Sequence, residues 1–341
     1  MKHFLTILLL LIFAISSCKK KSAGVVNNPP SNLIITATVS TDNSGNVSFA
    51  ASATNAVSYD YDFGNGVFQT SASGSLTYKY PSSATYTVNV IAKGSGGQTI
   101  SKSIQVTVVV ALSLVWSEEF NTAGAPDAAK WGYDIGTGSN GWGNNELQYY
   151  TNRPDNVIVS NGTLKITAKK ENFSGSAYTS TRLLSKDKFS FKYGKVEARA
   201  KLPIGVGTWP AIWMLGNNIS TVNWPACGEI DIMEHVGSQQ NKIYGTLHYP
   251  GRSGGNADGA TITIPNVSTE FHKYTLEWTT AAIKISVDDV VFFTFNNTST
   301  SPFNQNFFFI LNVAMGGSFG GNVDAAFVSS TMEIDYLRVY Q

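Results

Sequence analysis

The stretch GEIDIMEH, residues 228–235, carries three carboxylates: Glu229, Asp231 and Glu234. On a regular strand, side chains alternate between faces, so Glu229 and Asp231 share one face while Ile230 and Ile232 take the other. Strict alternation then sends Glu234 into apolar packing, where an unpaired carboxylate is strongly unfavourable. One extra residue, a β-bulge at Ile232 and Met233, restores the phase and returns Glu234 to the face of the other two acids. Two strand steps of ~6.6 Å put the Cα atoms of Glu229 and Glu234 roughly 13 Å apart, and inward-leaning side chains close much of that gap. A carboxyl separation of ~5 to 5.5 Å suits sugar transfer with retention, in which one acid attacks the anomeric carbon and the other protonates the leaving oxygen. Asp231, between them, can hydrogen-bond the nucleophile. Crowding of like charges raises the pKa of one member, which becomes the proton donor.

Such acids need a rigid, curved surface to hold them. From residue 114 to 341 the chain contains all seven Trp residues and many β-branched runs, with no sustained 3.6-residue period. Segments such as GTLKITAKK, GKVEARAKLP, KYTLEWT, FFFILNVAM and MEIDYLRVYQ predict strands of two packed antiparallel sheets, a curved β-sandwich whose concave face can hold a polymer. In GTWPAIWMLG, residues 207–216, Trp209, Ala211 and Trp213 fall on one face, with Pro210, Ile212 and Met214 opposite. Indole faces suit the C–H face of a pyranose, and indole N–H groups can meet hydroxyls. His248 shares a strand face with Tyr244 and Thr246, whereas His235, following the bulge, points away from the acids.

The E-I-D-I-M-E motif resembles the bulged signature of glycoside hydrolase family 16, E-[ILV]-D-x-x-E. Flanking motifs agree in order: WGNNELQYYT (142–151), TSTRLLSKDKFSFKYGKVEARAKLP (179–203), GTWPAIWMLG, GTLHYPG (245–251), NVAMGGSFGG (312–321) and the terminal IDYLRVYQ. The resemblance covers residues 114–341 and implies a jelly-roll, concanavalin-like fold. It implies Glu229 as nucleophile, Asp231 as its helper and Glu234 as general acid/base. It also implies that Trp209 and Trp213 floor the cleft, with His248 beside the acid/base and Asn145, Glu146 and Arg182 holding sugar hydroxyls. Phe319, in the Gly-rich loop, is expected to line the cleft end. Trp142 and Trp224 are weaker cleft candidates, and Trp116, Trp131 and Trp278 are expected in the core. The motif set is similar to the laminarinase branch, which implies endo-hydrolysis of β-1,3-glucan. Mixed-linkage β-1,3-1,4-glucan, agar or carrageenan hydrolysis, and a catalytically silent glycan-binding surface protein, are the alternatives. No cofactor is expected for catalysis. The resemblance also implies a structural calcium held by Glu119, the carbonyl of Gly162 and Asp335, oxygen ligands of the kind calcium takes.

The N-terminal third reads differently. Residues 1–17 have a basic start at Lys2 and an apolar run too short for a span of ~20 residues, which predicts an export signal. The run ends in Ile15-Ser16-Ser17-Cys18, which resembles a bacterial lipobox. Cys18 is then the lipidated mature N-terminus, and the protein is exported and anchored to a membrane. Residues 18–31 read as a flexible tether. Residues 32–110 alternate in short strands with Gly, Asn and Ser turns, which predicts a smaller antiparallel β-sandwich. The pieces SYDYDFGNGVF and YKYPSSATYTVNVIAKG resemble the PKD type of Ig-like module, with departures at Asn65, Lys79 and Ala84.

Composition narrows the partner. The formal net charge is +1, and losing residues 1–17 with Lys2 brings it to zero. A neutral chain lacks the sustained positive field that nucleic acid or a sulfated polymer selects. With 12% aromatic residues, it fits a neutral, polar-faced polysaccharide and is expected to act as a monomer. The two cysteines are Cys18 and Cys227; with Cys18 lipidated, no intrachain disulfide can form.

Overall fold

The computed structural model describes residues 27–341. The signal segment, Cys18 and most of the tether lie outside the described residues. Contacts divide the chain into two compact units, Met1–Ala111 and Leu112–Gln341.

The first unit pairs two antiparallel sheets. One holds the strands Ser31–Val39, Asn46–Thr54 and Ser75–Lys79; the other holds Phe68–Ser71, Ala56–Asp62, Ala84–Gly94 and Thr99–Val108. In Ala84–Gly94 the buried residues alternate, as a half-buried strand requires. Val47, Phe49, Tyr61, Phe63, Tyr80, Val88 and Val90 close the core between the sheets.

The second unit is a larger sandwich. Its inner sheet has seven strands in the order Asp258–Thr263, Lys242–His248, Glu229–His235, Thr208–Gly216, Phe307–Met315, Arg182–Leu184 and Gly132–Asp134. The outer sheet has ten, with Thr163–Phe173, Ser329–Tyr340, Gly194–Lys201 and His272–Trp278 at its centre. Ile212, Met214, Ile230, Ile232, Leu311 and Val313 from the inner sheet meet Ile166, Val196, Leu276, Ile334 and Leu337 from the outer one in a single buried cluster. Burying one such side chain is worth about 1.5–3 kcal/mol, so this layer fixes which face of each inner strand is left for the site. Trp131 and Trp278 are core residues, and Trp116, half-buried, stacks on Phe189 at 4.6 Å.

The acid strand carries the bulge. Against its neighbour Thr208–Gly216, Trp213 faces Asp231 and Ile212 faces Met233, which leaves Ile232 unmatched. On the other side Asp231 faces Thr246 and Glu234 faces Tyr244, so Ile232 and Met233 together oppose Gly245. Both bulge side chains enter the core and are fully buried. Gly245 makes this feasible: a Cβ there would lie 3.0 Å from both Ile285 and Phe292. Two side chains on one strand are matched by a missing one on the next.

Candidate active site

Glu229, Asp231 and Glu234 emerge on the open face of the inner sheet, with Asp231 only 3% exposed. Each has a different set of partners. Glu229 Oε2 accepts a hydrogen bond of 2.9 Å from the indole N–H of Trp224. Glu234 Oε1 accepts one of 2.8 Å from the indole N–H of Trp209. Asp231 shares a hydrogen bond with Glu229, and its Oδ2 lies 3.1 Å from His248 Nε2. His248 Nε2 is also 3.7 Å from Glu229 Oε1.

The orientation of His248 comes from a loop. The backbone N–H of Gly254 donates to Nδ1 at 3.1 Å. With Nδ1 accepting, the neutral ring carries its proton on Nε2, the nitrogen that faces the carboxylates.

Burial raises the affinity of all three acids for protons. It pushes Glu229 well above the ordinary carboxyl range, assisted by the charges of Asp231 and Glu234 and opposed by His248 and the Trp224 N–H. Burial, then the charge of Glu234, pushes Asp231 well up, while its hydrogen bond with Glu229 opposes the rise. Glu234 is raised by burial against the Trp209 hydrogen bond and His248. The trio therefore keeps a proton at a pH where isolated carboxyls are ionised, the condition for one acid to donate while another attacks.

The aromatic floor is fixed by a second set of contacts. Trp213 Nε1 donates to Asn312 Oδ1 at 2.7 Å, and Asn312 Nδ2 donates to the Tyr150 hydroxyl at 3.1 Å. Tyr150 in turn donates to Glu146 Oε2 at 3.1 Å. Glu146 thus ends a relay that holds the Trp213 ring. Its oxygens also accept from Gln148 and Asn144, so they are engaged within the protein. Arg182 pairs with Asp134 at 3.0 Å and places its guanidinium 4.7 Å from the Trp142 ring and 4.9 Å from the Trp213 ring. Both residues brace the Trp213 platform, a role additional to the hold on sugar hydroxyls that the resemblance implies. Asn145 remains exposed at the same loop. Phe319 meets Trp209 edge-on at 5.4 Å and Tyr244 at 5.0 Å, forming an aromatic wall beside Glu234.

Sequence reasoning underrated Trp224 and Trp142 and did not single out Asn312 or Tyr150. Trp224 lies on the irregular segment between the strands Thr208–Gly216 and Glu229–His235, where no periodicity reports direction. Ile219 and Val222 of that segment pack on Leu184, Leu215, Phe308 and Ile310, which brings Trp224 over the nucleophile strand. Asn312 stands in an apolar strand, FFFILNVAM, where a lone polar side chain is the one sequence signal that could have found it; in the structure it is buried, at 6% exposure.

The residues expected to hold calcium have other partners. Glu119 makes a two-pronged ion pair with Arg338 at 2.9 and 2.7 Å, and Asp335 pairs with Arg199 at 2.5 Å. Gly162 occupies a left-handed turn position. A dication would have to displace both guanidinium groups, so the donor set as arranged does not fit one. In the cleft, Glu229, Asp231 and His248 place ligand atoms within 4.8 Å of one another, but a cation chelated there would occupy the nucleophile.

The family model "Glycosyl hydrolases family 16" matches residues 144–338. A model for beta-glucan synthesis-associated protein SKN1/KRE6/Sbg1 matches residues 51–227 and stops before the three acids. A beta-glucanase of Rhodothermus marinus is 44% identical over 244 residues, covering 67% of this chain and 85% of that protein. The laminarinase structure from Rhodothermus marinus superposes with a TM-score of 0.65 at 44% identity, covering 68% of this chain and 98% of the other. The catalytic domain of an endo-1,3-beta-glucanase (laminarinase) from Thermotoga petrophila gives a TM-score of 0.64 at 42% identity, covering 68% and 98%. With a family model spanning most of the second unit, including its three acids, and a relative matched over most of its length, this chain belongs to the glycosyl hydrolases of family 16.

Proposed function

We propose that the protein is an endo-acting β-1,3-glucanase that cleaves with retention of anomeric configuration. The observation that carries this is the bulge at Ile232 and Met233, which brings Glu229, Asp231 and Glu234 onto one face under an indole-lined cleft.

In this reading Glu229 attacks the anomeric carbon while Glu234 gives its proton to the leaving glycosidic oxygen, forming a covalent glycosyl-enzyme. Glu234, now ionised, takes a proton from water, and the resulting hydroxide equivalent releases the sugar from Glu229. Asp231 shares a proton with Glu229 and adjusts its charge, and the N–H of Trp224 stabilises the ionised nucleophile. Trp209 holds Glu234 where the leaving oxygen would be. The β-1,3 linkage is supported by the relatives, which are named laminarinase and endo-1,3-beta-glucanase.

We also propose the finer points that the sequence suggests: a lipid anchor at Cys18 on an exported protein, and a PKD-type identity for the first unit, which has the two antiparallel sheets such a module needs. Sugar release from laminarin, lichenan, agarose and carrageenan tests the substrate. Laminarin should be cleaved fastest, and faster release from agarose or carrageenan would reject the glucanase reading.

A further inference from the structure

His248 ends the strand Lys242–His248 and stands opposite Glu229, and the chain returns along the edge strand Asp258–Thr263, with Asp258 opposite Leu247. Residues 249–257 turn between the two. The loop begins tightly: the Tyr249 N–H donates to the Arg252 carbonyl at 2.8 Å and the Arg252 N–H to the Tyr249 carbonyl at 2.9 Å. Pro250 and Gly251 take the corner, with Gly251 at a φ of 80°. A single helical turn, Gly254–Asn256, ends the loop.

A clasp ties this loop to the sheet. Asp258 Oδ1 accepts from Arg252 Nε at 2.9 Å and from a terminal guanidinium nitrogen, while Oδ2 accepts from the Tyr249 hydroxyl. Arg252, then Tyr249, holds the Asp258 carboxyl below its usual range against the opposing effect of burial, so the clasp stays ionised. Asn256 Nδ2 adds a bond of 3.0 Å to the Gly251 carbonyl, which joins the helical turn to the tight one. Between Arg252 and Asp258 in the chain, the backbone N–H of Gly254 is left 3.1 Å from His248 Nδ1.

That N–H decides which nitrogen of a neutral His248 carries the proton. With Nδ1 accepting, Nε2–H faces Asp231 Oδ2 at 3.1 Å and Glu229 Oε1 at 3.7 Å. Apart from this nitrogen, the buried Asp231 Oδ2 has no hydrogen-bond partner among the described residues. In the other tautomer a bare Nε2 lone pair would confront two crowded carboxylates, and repulsion would turn the ring away. We infer that Arg252 and Asp258 are positioning residues for the reaction: their clasp holds the Gly254 N–H on Nδ1 and so keeps His248 presenting Nε2–H to the Glu229 and Asp231 pair. This deepens the glucanase reading and rests on it.

The test uses the full chain with Arg252→Ala and Asp258→Asn, which break the clasp, and Arg252→Lys, which keeps a cation beside Asp258. Arg252 is exposed and asparagine has the shape of aspartate, so two independent variants remain should one fail to fold. Steady-state rates on laminarin are read beside 15N–1H spectra of ring-labelled histidine at about pH 8, whose couplings show which ring nitrogen is protonated. The His248 signals are those missing from His248→Gln. Arg252→Ala and Asp258→Asn should lower kcat about tenfold with KM changed less than about twofold, and turn His248 from the Nε2–H form into a mixture. Arg252→Lys should recover most of both. A clasp that serves stability alone would lower the urea midpoint and leave the ring pattern as it was. An unchanged tautomer in both clasp-breaking variants therefore overturns the inference whatever kcat does, and so does an altered tautomer with kcat unchanged. If the unmodified protein cleaves no laminarin, it is the glucanase reading that fails, and the ring spectra still decide whether the clasp sets the tautomer.

Discussion

The indole N–H of Trp224 lies 2.9 Å from Oε2 of Glu229, although the Trp224 side chain is 46% exposed and belongs to no strand. A surface loop therefore supplies a hydrogen bond to the nucleophile that the sheet does not. Replacing that donor should be felt in the pH profile. Burial raises the pKa of Glu229, and the Trp224 hydrogen bond opposes the rise. In Trp224→Phe the opposition is gone, so the ionised nucleophile is reached only at higher pH and the acidic limb of kcat/KM moves upward. A hydrogen bond to a charged group is worth ~1.5–3 kcal/mol, so activity below the limb should fall at least about tenfold. An unmoved or downward-shifted limb would show that the contact does not bear on the nucleophile.

Gly245 and the bulge depend on one another. In Gly245→Ala the added methyl meets Ile285 and Phe292 at 3.0 Å, in a core already filled by Ile232 and Met233. Overpacking of this kind costs about 1–3 kcal/mol. Urea unfolding should show a lower midpoint with an unchanged slope. A midpoint equal to that of the unmodified protein would mean that the strand does not need the gap.

His235 is fully buried, and among the described residues neither ring nitrogen has a hydrogen-bond partner. Burial lowers its pKa from 6.5 to about 4. The folded state then binds fewer protons than the unfolded chain between those values, so the neutral ring's contribution is present above pH 6.5 and is lost as pH falls toward 4. The full difference is about 3 kcal/mol. In His235→Leu that portion of the pH dependence should vanish. The stability of the leucine variant minus that of the unmodified protein, measured from pH 7.5 to 4, should rise on acidification; parallel curves would contradict this.

Much of the second unit could be read from the sequence because its strands alternate or run apolar between turn residues. The bulge was legible for a sharper reason: only one extra residue could keep Glu234 out of the core. The face shared by Trp209 and Trp213 followed from the same period of two. What escaped was the support structure. Trp224 and Trp142 stand on irregular segments whose direction is set by packing from distant strands, on Leu215 and Phe308 for the first and on Arg182 for the second. The relay from Glu146 through Tyr150 and Asn312 to Trp213 joins residues up to 166 positions apart in sequence, and pairing across a sheet leaves no local pattern. The expected calcium ligands show the converse: carboxylates of a type suited to a metal are paired here with arginines, Asp335 with Arg199 and Glu119 with Arg338.

The trio's division of labour is tested most directly by removing the nucleophile and supplying another. Glu229→Ala, incubated with laminarin and sodium azide, should lose hydrolysis yet still bind the glucan, and azide should restore turnover by attacking from the side vacated by Glu229, giving an α-glucosyl azide. Undiminished hydrolysis without azide, or a product of β configuration, would contradict Glu229 as the attacking group.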